Sequence, residues 1–333
     1  MDREPEELQF LGLYGIYKEA YKVILSSKKI FSQITLVLAI PLSFIFLAHL
    51  YISDILFSKI IRGEEALEYT RVHSRLYNRI NSQISSEVAA LWLFKAVYFV
   101  FFLILSLLST AAIVYTIACL YTAKEVTFKR VMNIVPKVWK RLIITFLWNF
   151  LIMFGYNFAA IAVLVMFAAF LGKQAFVFVL VFMIILYLIG FVYINVVWQL
   201  ASVVSVLEDM YGIQAMKKSK ALIKGKMMVA IAIYLKLLLS VLGVQVVFQK
   251  VVFSTRGGSL GILNKLSYGV VLMSVLALLI LYAFVIQTVI YFVCKSYHHE
   301  SIDKSCLSDH LECYRGDYVP LKSNDLQLEQ YYA

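Results

Sequence analysis

Six long stretches of the sequence carry almost no charged side chain, and they constrain the fold more than any other feature. Each is long enough for a helix rising ~1.5 Å per residue to cross the ~30 Å hydrocarbon core of a bilayer, whereas soluble folds bury apolar runs of about 10 to 14 residues. The predicted spans are 31–52, 96–120, 142–171, 174–202, 228–253 and 268–294. The sequence therefore predicts an all-α fold, namely a polytopic transmembrane helix bundle of about six spans.

Lysine and arginine are distributed unevenly between the segments that join the spans. With the N-terminus inside, the predicted inner segments carry about twice as many of these residues as the outer ones, as the positive-inside rule requires. Both termini are therefore predicted to be cytosolic, in an endomembrane or the plasma membrane. The predicted divisions are a cytosolic N-terminus with an amphipathic interfacial helix (1–30), a six-helix transmembrane domain (31–294) with an external helical insertion (53–91), and a disordered cytosolic tail (295–333).

Three basic amphipathic stretches, which we call the leaders, each precede a pair of spans and give the chain a loose threefold repeat. The leaders are 13–29, 127–141 and 213–226. In the middle leader the apolar residues share one helical face: Phe128, Val131, Met132, Val135, Val138 and Leu142. Each leader is predicted to lie in the cytosolic interface, with its apolar face in the acyl boundary and its cations against anionic headgroups. Pro136 is expected to end one short helix and begin the next.

The predicted lipid-contact residues are lysines and arginines of the leaders. They are Lys28, Lys29, Lys129, Arg130, Lys137, Lys140, Arg141, Lys217, Lys218 and Lys224. The alternative is that these residues are ordinary basic flanks, which obey the topology rule without selecting particular lipids.

Several stretches are similar to a plant family of six-span membrane proteins that has no established activity. They are SLLSTAAIVYT (106–116), IVPKVWKRL (134–142), VWQLASVVSVLED (197–209), YGIQAMKKS (211–219), CKSYHHESID (294–303) and YVPLK (318–322). The resemblance implies a plant membrane protein and leaves its activity open. The threefold layout also resembles, in architecture alone, the membrane domains attached to some bacterial glycerophosphodiesterases. This second likeness implies no activity, because the chain carries no hydrolase domain.

No motif in the sequence supports catalysis or a cofactor. Phosphate-binding, dinucleotide-binding, nucleophile-elbow and zinc-protease motifs do not occur, so the chain is predicted not to be an enzyme. The spans contain no aspartate or glutamate, which disfavours a proton-coupled carrier. The net charge of +11 arises largely beside the spans, so anionic lipids rather than nucleic acids are the expected partners.

Lys236 and a series of amides are the polar groups inside the predicted spans. Lys236 lies roughly 12 Å into the fifth span at ~1.5 Å per residue. One interpretation is that it contacts an anionic substrate or headgroup. The alternative is that it snorkels to the interface or meets polar groups of the bundle. The amides are Asn149, Asn157, Asn195, Gln199, Gln245, Gln249 and Gln287. They either hold the helices together or line a path for a small solute.

The segments beside the last span contain three further candidate sites. Tyr318 and Leu321 form the Tyr-x-x-apolar pattern that clathrin adaptors bind as an extended peptide. Cys119 and Cys294 are candidate palmitoylation sites, with buried thiols as the alternative. The histidines and cysteines of 298–313 match no familiar zinc spacing, so no metal site is predicted.

The basic leaders and the absence of acidic residues from the spans together favour a role in binding lipid over catalysis or proton-coupled transport. The chain is predicted to be a non-enzymatic membrane organiser or trafficking-related protein that binds the cytosolic leaflet. The alternative prediction is a carrier or channel for a small or amphiphilic solute, with Lys236 and the amides along its path.

Overall fold

The computed structural model describes residues 9–70, 74–122, 126–170, 173–253 and 262–299, and all regular structure within these ranges is helical. The helices are α1 (Leu13–Ser26), α2 (Lys28–Ile34), α3 (Ile40–Glu68), α4 (Arg75–Tyr121), α5 (Phe128–Phe170), α6 (Lys173–Leu207), α7 (Ile213–Leu222), α8 (Met227–Phe253) and α9 (Ile262–Tyr297). In the described part, six continuous helices are long and apolar enough to cross a membrane. The predicted all-α fold with six candidate spans is therefore confirmed.

The helix that contains the second predicted span extends well beyond its apolar stretch. α4 is 47 residues long, whereas a span requires only about 20. Its first part, 75–95, contains no glycine or proline, so the backbone has no residue that would end the helix before the apolar stretch. The predicted helical insertion 53–91 therefore continues directly into the helix of the second span. Within the described residues it is shared between the end of α3 and the start of α4, where Ile80 and Ile84 are half-buried.

Pro136 does not interrupt α5, contrary to the expectation that it separates two helices. The helix continues through it from Phe128 to Phe170. A proline inside a helix leaves one carbonyl without its N–H partner. Because Pro136 is exposed, that carbonyl lies on the exposed side of α5, where the loss of one hydrogen bond is tolerated.

Pro41 lies just after an irregular turn in the helix that contains the first span. α2 and α3 are joined by a π-helical segment, Thr35–Ala39, into one helix that runs Lys28–Glu68. The Ile40 N–H bonds to the Thr35 carbonyl, five residues back, instead of the usual four. A π-helical turn beside a proline is a recognised cause of a local bend in a helix.

The chain forms two compact units, each discontinuous in sequence. Unit 1 contains 1–31, 110–236 and 282–333, and unit 2 contains 32–109 and 237–281. Stretches that are distant in the sequence therefore pack together within each unit.

Unit 2 has a small apolar core. Leu47, Phe248 and Leu276 are buried together there, although they come from three different helices. His49 lies against the Tyr98 ring, with 3.8 Å between the ring centroids. Contacts between residues far apart in sequence therefore hold this unit together.

Unit 1 has a larger core. α5 packs against α6 and α7. The end of α4 is buried almost completely, and its covered residues include Ala111, Ala112, Val114, Ile117 and Ala118. Small side chains at such positions let neighbouring helices approach closely.

Candidate lipid-contact surface

The leaders expose most of their predicted lipid-contact cations. Those that are exposed are Lys28, Lys29, Lys129, Arg130, Lys137, Lys140, Lys217 and Lys224, whereas Arg141 and Lys218 are half-buried. All of them belong to unit 1. An exposed ammonium or guanidinium next to a bilayer surface is attracted to anionic headgroups.

The apolar faces of the leaders are covered by protein. The residues buried in this way include Ile16, Ala20 and Val23 of α1, Val131, Val135, Val138 and Leu142 of α5, and Ala215, Met216 and Leu222 of α7. The predicted helical faces are therefore real, but the expectation that they enter the acyl boundary is wrong. Other helices of unit 1 cover the apolar side chains that lipid would have covered. Protein and lipid are alternative apolar partners for the same surface.

α1 presents a second face that does suit a membrane interface. Tyr14, Lys18, Tyr21, Lys22 and Leu25 are exposed on it at helical spacing. Tyrosine is enriched at headgroup depth, where its ring is apolar and its hydroxyl remains hydrated. This face of α1 therefore combines aromatic rings with positive charges, the two kinds of group that favour a lipid surface.

Arg141 makes a protein contact in addition to lying on a leader. Its Nη1 atom donates to the Asp209 carboxylate at 2.9 Å, which joins the start of α5 to the residues that follow α6. The Arg141 side chain is 31% exposed and that of Asp209 is 74% exposed. An exposed ion pair of this kind contributes at most about 1 kcal/mol.

Glu208 is the acceptor in a more buried polar cluster. The Tyr291 hydroxyl donates to its Oε1 atom at 2.6 Å, and the Lys295 ammonium approaches the same oxygen at 3.2 Å. The side chains of Lys295 and Glu208 are only 20% and 14% exposed. The carboxylate therefore compensates a cation that is largely removed from solvent, and it attaches the end of α9 to the end of α6.

The turn between α6 and α7 is held by hydroxyl groups. The Thr145 and Ser205 hydroxyls are 2.7 Å apart, and the Gly212 N–H donates to Thr145 Oγ1 at 2.8 Å. Gly212 has φ +62° and ψ −132°, a conformation that is essentially restricted to glycine. These bonds fix where α7 starts relative to α5.

Lys236 is exposed and reaches the first leader. Its Nζ atom lies 4.8 Å from the centroid of the Tyr17 ring. The Tyr17 ring stacks on Tyr282, whose hydroxyl donates to the Tyr17 carbonyl at 2.8 Å. Burial raises the pKa of the Tyr17 phenol, so the ring remains neutral and the Lys236 contact is a cation–π interaction.

Within the described residues, two of the seven amides predicted inside the spans form side-chain hydrogen bonds with other helices. Gln287 donates through Nε2 to the Gln199 carbonyl and to the Ser202 hydroxyl, both at 2.6 Å. Asn157 accepts from the Tyr187 hydroxyl at 2.8 Å. These bonds favour the structural role for both amides, because their polar atoms are occupied by protein.

The remaining candidate residues are buried or outside the described ranges. Cys119 and Cys294 are 3% and 0% exposed, which disfavours palmitoylation in the folded chain because acyl transfer needs an accessible thiol. Tyr318, Leu321 and the predicted disordered tail lie outside the described residues. Among the residues that are described, no group of three or more His, Cys, Asp or Glu could hold a metal ion.

Two acidic residues have surroundings that the sequence does not reveal. Glu208 follows the fourth predicted span, and nothing in the sequence pairs it with Lys295, 87 residues away. Glu19 is buried in the apolar stripe of α1, beside Ile16 and Ala20. Its signal in the sequence is an acid at a position where the helical period requires an apolar residue.

The described part of the chain is all-helical and contains six candidate spans, which is the architecture of an integral membrane protein. No residue constellation in the described part suggests a metal centre. The chain belongs to the family described as Domain of unknown function (DUF8558), whose model matches residues 1–331. No curated protein matches the chain. No solved structure matches it either.

Proposed function

We propose that this chain is a non-enzymatic membrane organiser or trafficking-related protein that binds anionic lipid headgroups of the cytosolic leaflet. The observation that supports the proposal is the composition of the leader surfaces. Most residues of their apolar faces are covered by protein, while eight of the ten predicted lipid-contact cations remain exposed. Binding would therefore be electrostatic and reversible, with the six spans supplying the anchorage.

The strength of such binding follows from the number of exposed cations. A lysine or arginine close to an anionic surface contributes about 1 kcal/mol, and the attraction decays within a Debye length of about 8 Å at physiological salt. Cations on three leaders of one unit could act together on neighbouring headgroups. We extend the proposal to cytosolic termini and to plant endomembranes or the plasma membrane, supported by the positive-inside bias and the resemblance described above.

Neutralising two leader lysines should remove most of the preference for anionic lipid. We expect the Lys129→Gln/Lys140→Gln variant to bind fluorescent phosphatidylserine about 30-fold more weakly, from two contacts at about 1 kcal/mol each. The measurement is a titration of the purified chain, held on beads in detergent, with micelles that contain labelled phosphatidylserine or labelled phosphatidylcholine.

The matched control removes the same charge from unit 2. Lys59 and Arg62 are exposed in α3, so Lys59→Gln/Arg62→Gln should keep the wild-type preference for phosphatidylserine. Equal binding of the two lipids by the wild-type chain would refute the proposal. So would an equal loss of phosphatidylserine binding in both double variants, because the effect would then report net charge alone.

A carrier or channel for an amphiphilic solute is the second candidate, and a groove in unit 1 favours it. α5 and α6 border a cavity of about 460 Å³. Its lining is mainly apolar, with Tyr156, Asn157 and Tyr187 as its polar members. This combination would suit a solute with a long apolar part and one hydrogen-bonding group.

Flux through liposomes distinguishes the two candidates. Saturable uptake of a labelled amphiphile by liposomes that contain the purified chain, reduced in an Asn157→Leu variant, would support the carrier. Uptake equal to that of protein-free liposomes would leave the lipid-binding proposal as the better one.

A further inference from the structure

The cavity between α5 and α6 contains an ordered cluster of three polar side chains. The cavity has a volume of about 460 Å³, and the cluster lies near the middle of two predicted spans, 142–171 and 174–202. The Tyr187 hydroxyl donates to Asn157 Oδ1 at 2.8 Å, and the Tyr156 hydroxyl donates to the Tyr187 carbonyl at 2.9 Å. The two tyrosine rings stack with 5.4 Å between their centroids. These contacts hold the polar members of the lining in fixed positions.

Gly190 makes room for this cluster on α6. A Cβ at Gly190 would clash with the Tyr156 hydroxyl and would lie 2.9 Å from Tyr156 Cζ. Because glycine has no side chain, the phenol can reach the backbone of α6. The approach of Tyr156 to α6 therefore depends on a residue outside the lining itself.

The polar atoms of the cluster have protein partners, but part of their hydrogen-bonding capacity is unused. Asn157 Nδ2 carries two hydrogens and donates one of them to the Met153 carbonyl at 2.7 Å. Among the residues that the structure describes, no acceptor takes the second hydrogen, and the Tyr156 and Tyr187 hydroxyl oxygens accept none. An amide hydrogen surrounded by hydrocarbon is costly to leave without an acceptor.

The lining limits which ligand could complete the cluster. None of the described residues that border the cavity is charged, so a charged head would have no counter-charge at the depth of the acyl chains. A hydroxyl can accept from the amide and also donate to a phenol oxygen, whereas an ether or a ketone can only accept. The aliphatic part of the lining would cover a hydrocarbon chain, and the volume is in the range of known ligand cavities.

We propose that this cavity binds a neutral lipid with one free hydroxyl and a long hydrocarbon chain, such as a diacylglycerol or a long-chain alcohol. The ligand hydroxyl accepts the second Asn157 amide hydrogen and donates to a phenol oxygen of the cluster. Its chain lies along the aliphatic lining between α5 and α6. The proposal requires binding only, so it depends neither on headgroup binding by the leaders nor on transport.

Photolabelling of the full chain in phosphatidylcholine nanodiscs tests the proposal. The probes are a diazirine-bearing hexadecanol and its methyl ether, which cannot donate a hydrogen bond. We expect half-saturation at an about tenfold lower concentration of the alcohol, the effect of one hydrogen bond, with labelled residues concentrated within 156–187. Excess unlabelled hexadecanol or dioleoylglycerol should displace the alcohol probe, and the stronger competitor identifies the source of the hydroxyl.

Two asparagine variants locate the site. Asn157→Leu should weaken labelling by the alcohol about tenfold, because the ligand loses the amide donor. Asn195→Leu is the matched control, since Asn195 donates to the Phe191 carbonyl at 2.8 Å one turn back in α6 and does not line the cavity. It should keep the wild-type affinity.

Three results would overturn the proposal. They are equal half-saturation by the alcohol and the ether, displacement by neither competitor, and equal affinities of Asn157→Leu and Asn195→Leu for the alcohol. If Asn157→Leu does not fold, the comparison of the two probes on the wild-type chain decides the question.

Discussion

Replacing Gly212 with alanine is expected to reduce the free energy of unfolding by about 2–6 kcal/mol, from a backbone strain and an overpacking term of about 1–3 kcal/mol each. Gly212 has φ +62°, which side-chain-bearing residues rarely adopt. An added Cβ would lie 2.9 Å from Trp148 Cδ1 and 3.5 Å from Ile144 Cγ2. Relief of this clash would displace the Gly212 N–H from the buried Thr145 hydroxyl. Unfolding of the purified chain by increasing fractions of SDS measures the change.

A glycine in an open helical position is the matched control. Gly155 lies inside α5, and a Cβ there would meet no atom within 4 Å. Alanine is favoured over glycine in a helix by about 0.5–1 kcal/mol, so Gly155→Ala should leave the stability unchanged or raise it slightly. Equal effects of Gly155→Ala and Gly212→Ala would show that the turn before α7 is not constrained as described.

Truncating Glu208 to alanine is expected to cost a similar amount, about 2–4 kcal/mol. Breaking a buried ion pair typically costs about 3–5 kcal/mol, and the partial exposure of both groups reduces this figure. The variant removes the acceptor that Tyr291 and Lys295 share at 2.6 and 3.2 Å. The same SDS titration reports the loss of stability.

The next residue in the chain supplies the control for Glu208. Asp209 pairs with Arg141 but is 74% exposed, so Asp209→Ala should cost at most about 1 kcal/mol. In the double variant Glu208→Ala/Lys295→Met the buried cation is removed as well, and at least half of the stability should return. If Asp209→Ala and Glu208→Ala cost the same, burial does not distinguish the two carboxylates.

The predicted spans differ in how closely their ends match the ends of the helices. The fifth span was predicted at 228–253 and α8 is Met227–Phe253. The second was predicted at 96–120, but its helix starts at Arg75. Hydropathy locates the part of a helix that suits hydrocarbon. It does not report where hydrogen bonding along the backbone ends, because a polar helical segment continues until a residue or a cap stops it.

The candidate site was predictable only in part. The spacing of Val131, Val135 and Val138 correctly predicted one apolar face, and Lys129 and Lys140 lie on the exposed side. What covers the apolar face was not predictable. Lipid and protein are both apolar partners, and the helical period of a segment does not distinguish them.

The sequence alone determined that this chain enters a membrane, that it does so as helices, and which side chains of each leader are polar. These properties depend on the free energy of transferring side chains and backbone from water to an apolar medium. That free energy is set by the residues of each segment alone. The tertiary structure decided that the leaders pack against protein, that Glu208 meets Lys295 and that Glu19 is enclosed. Those outcomes depend on contacts between residues far apart in the chain, and no local pattern specifies them.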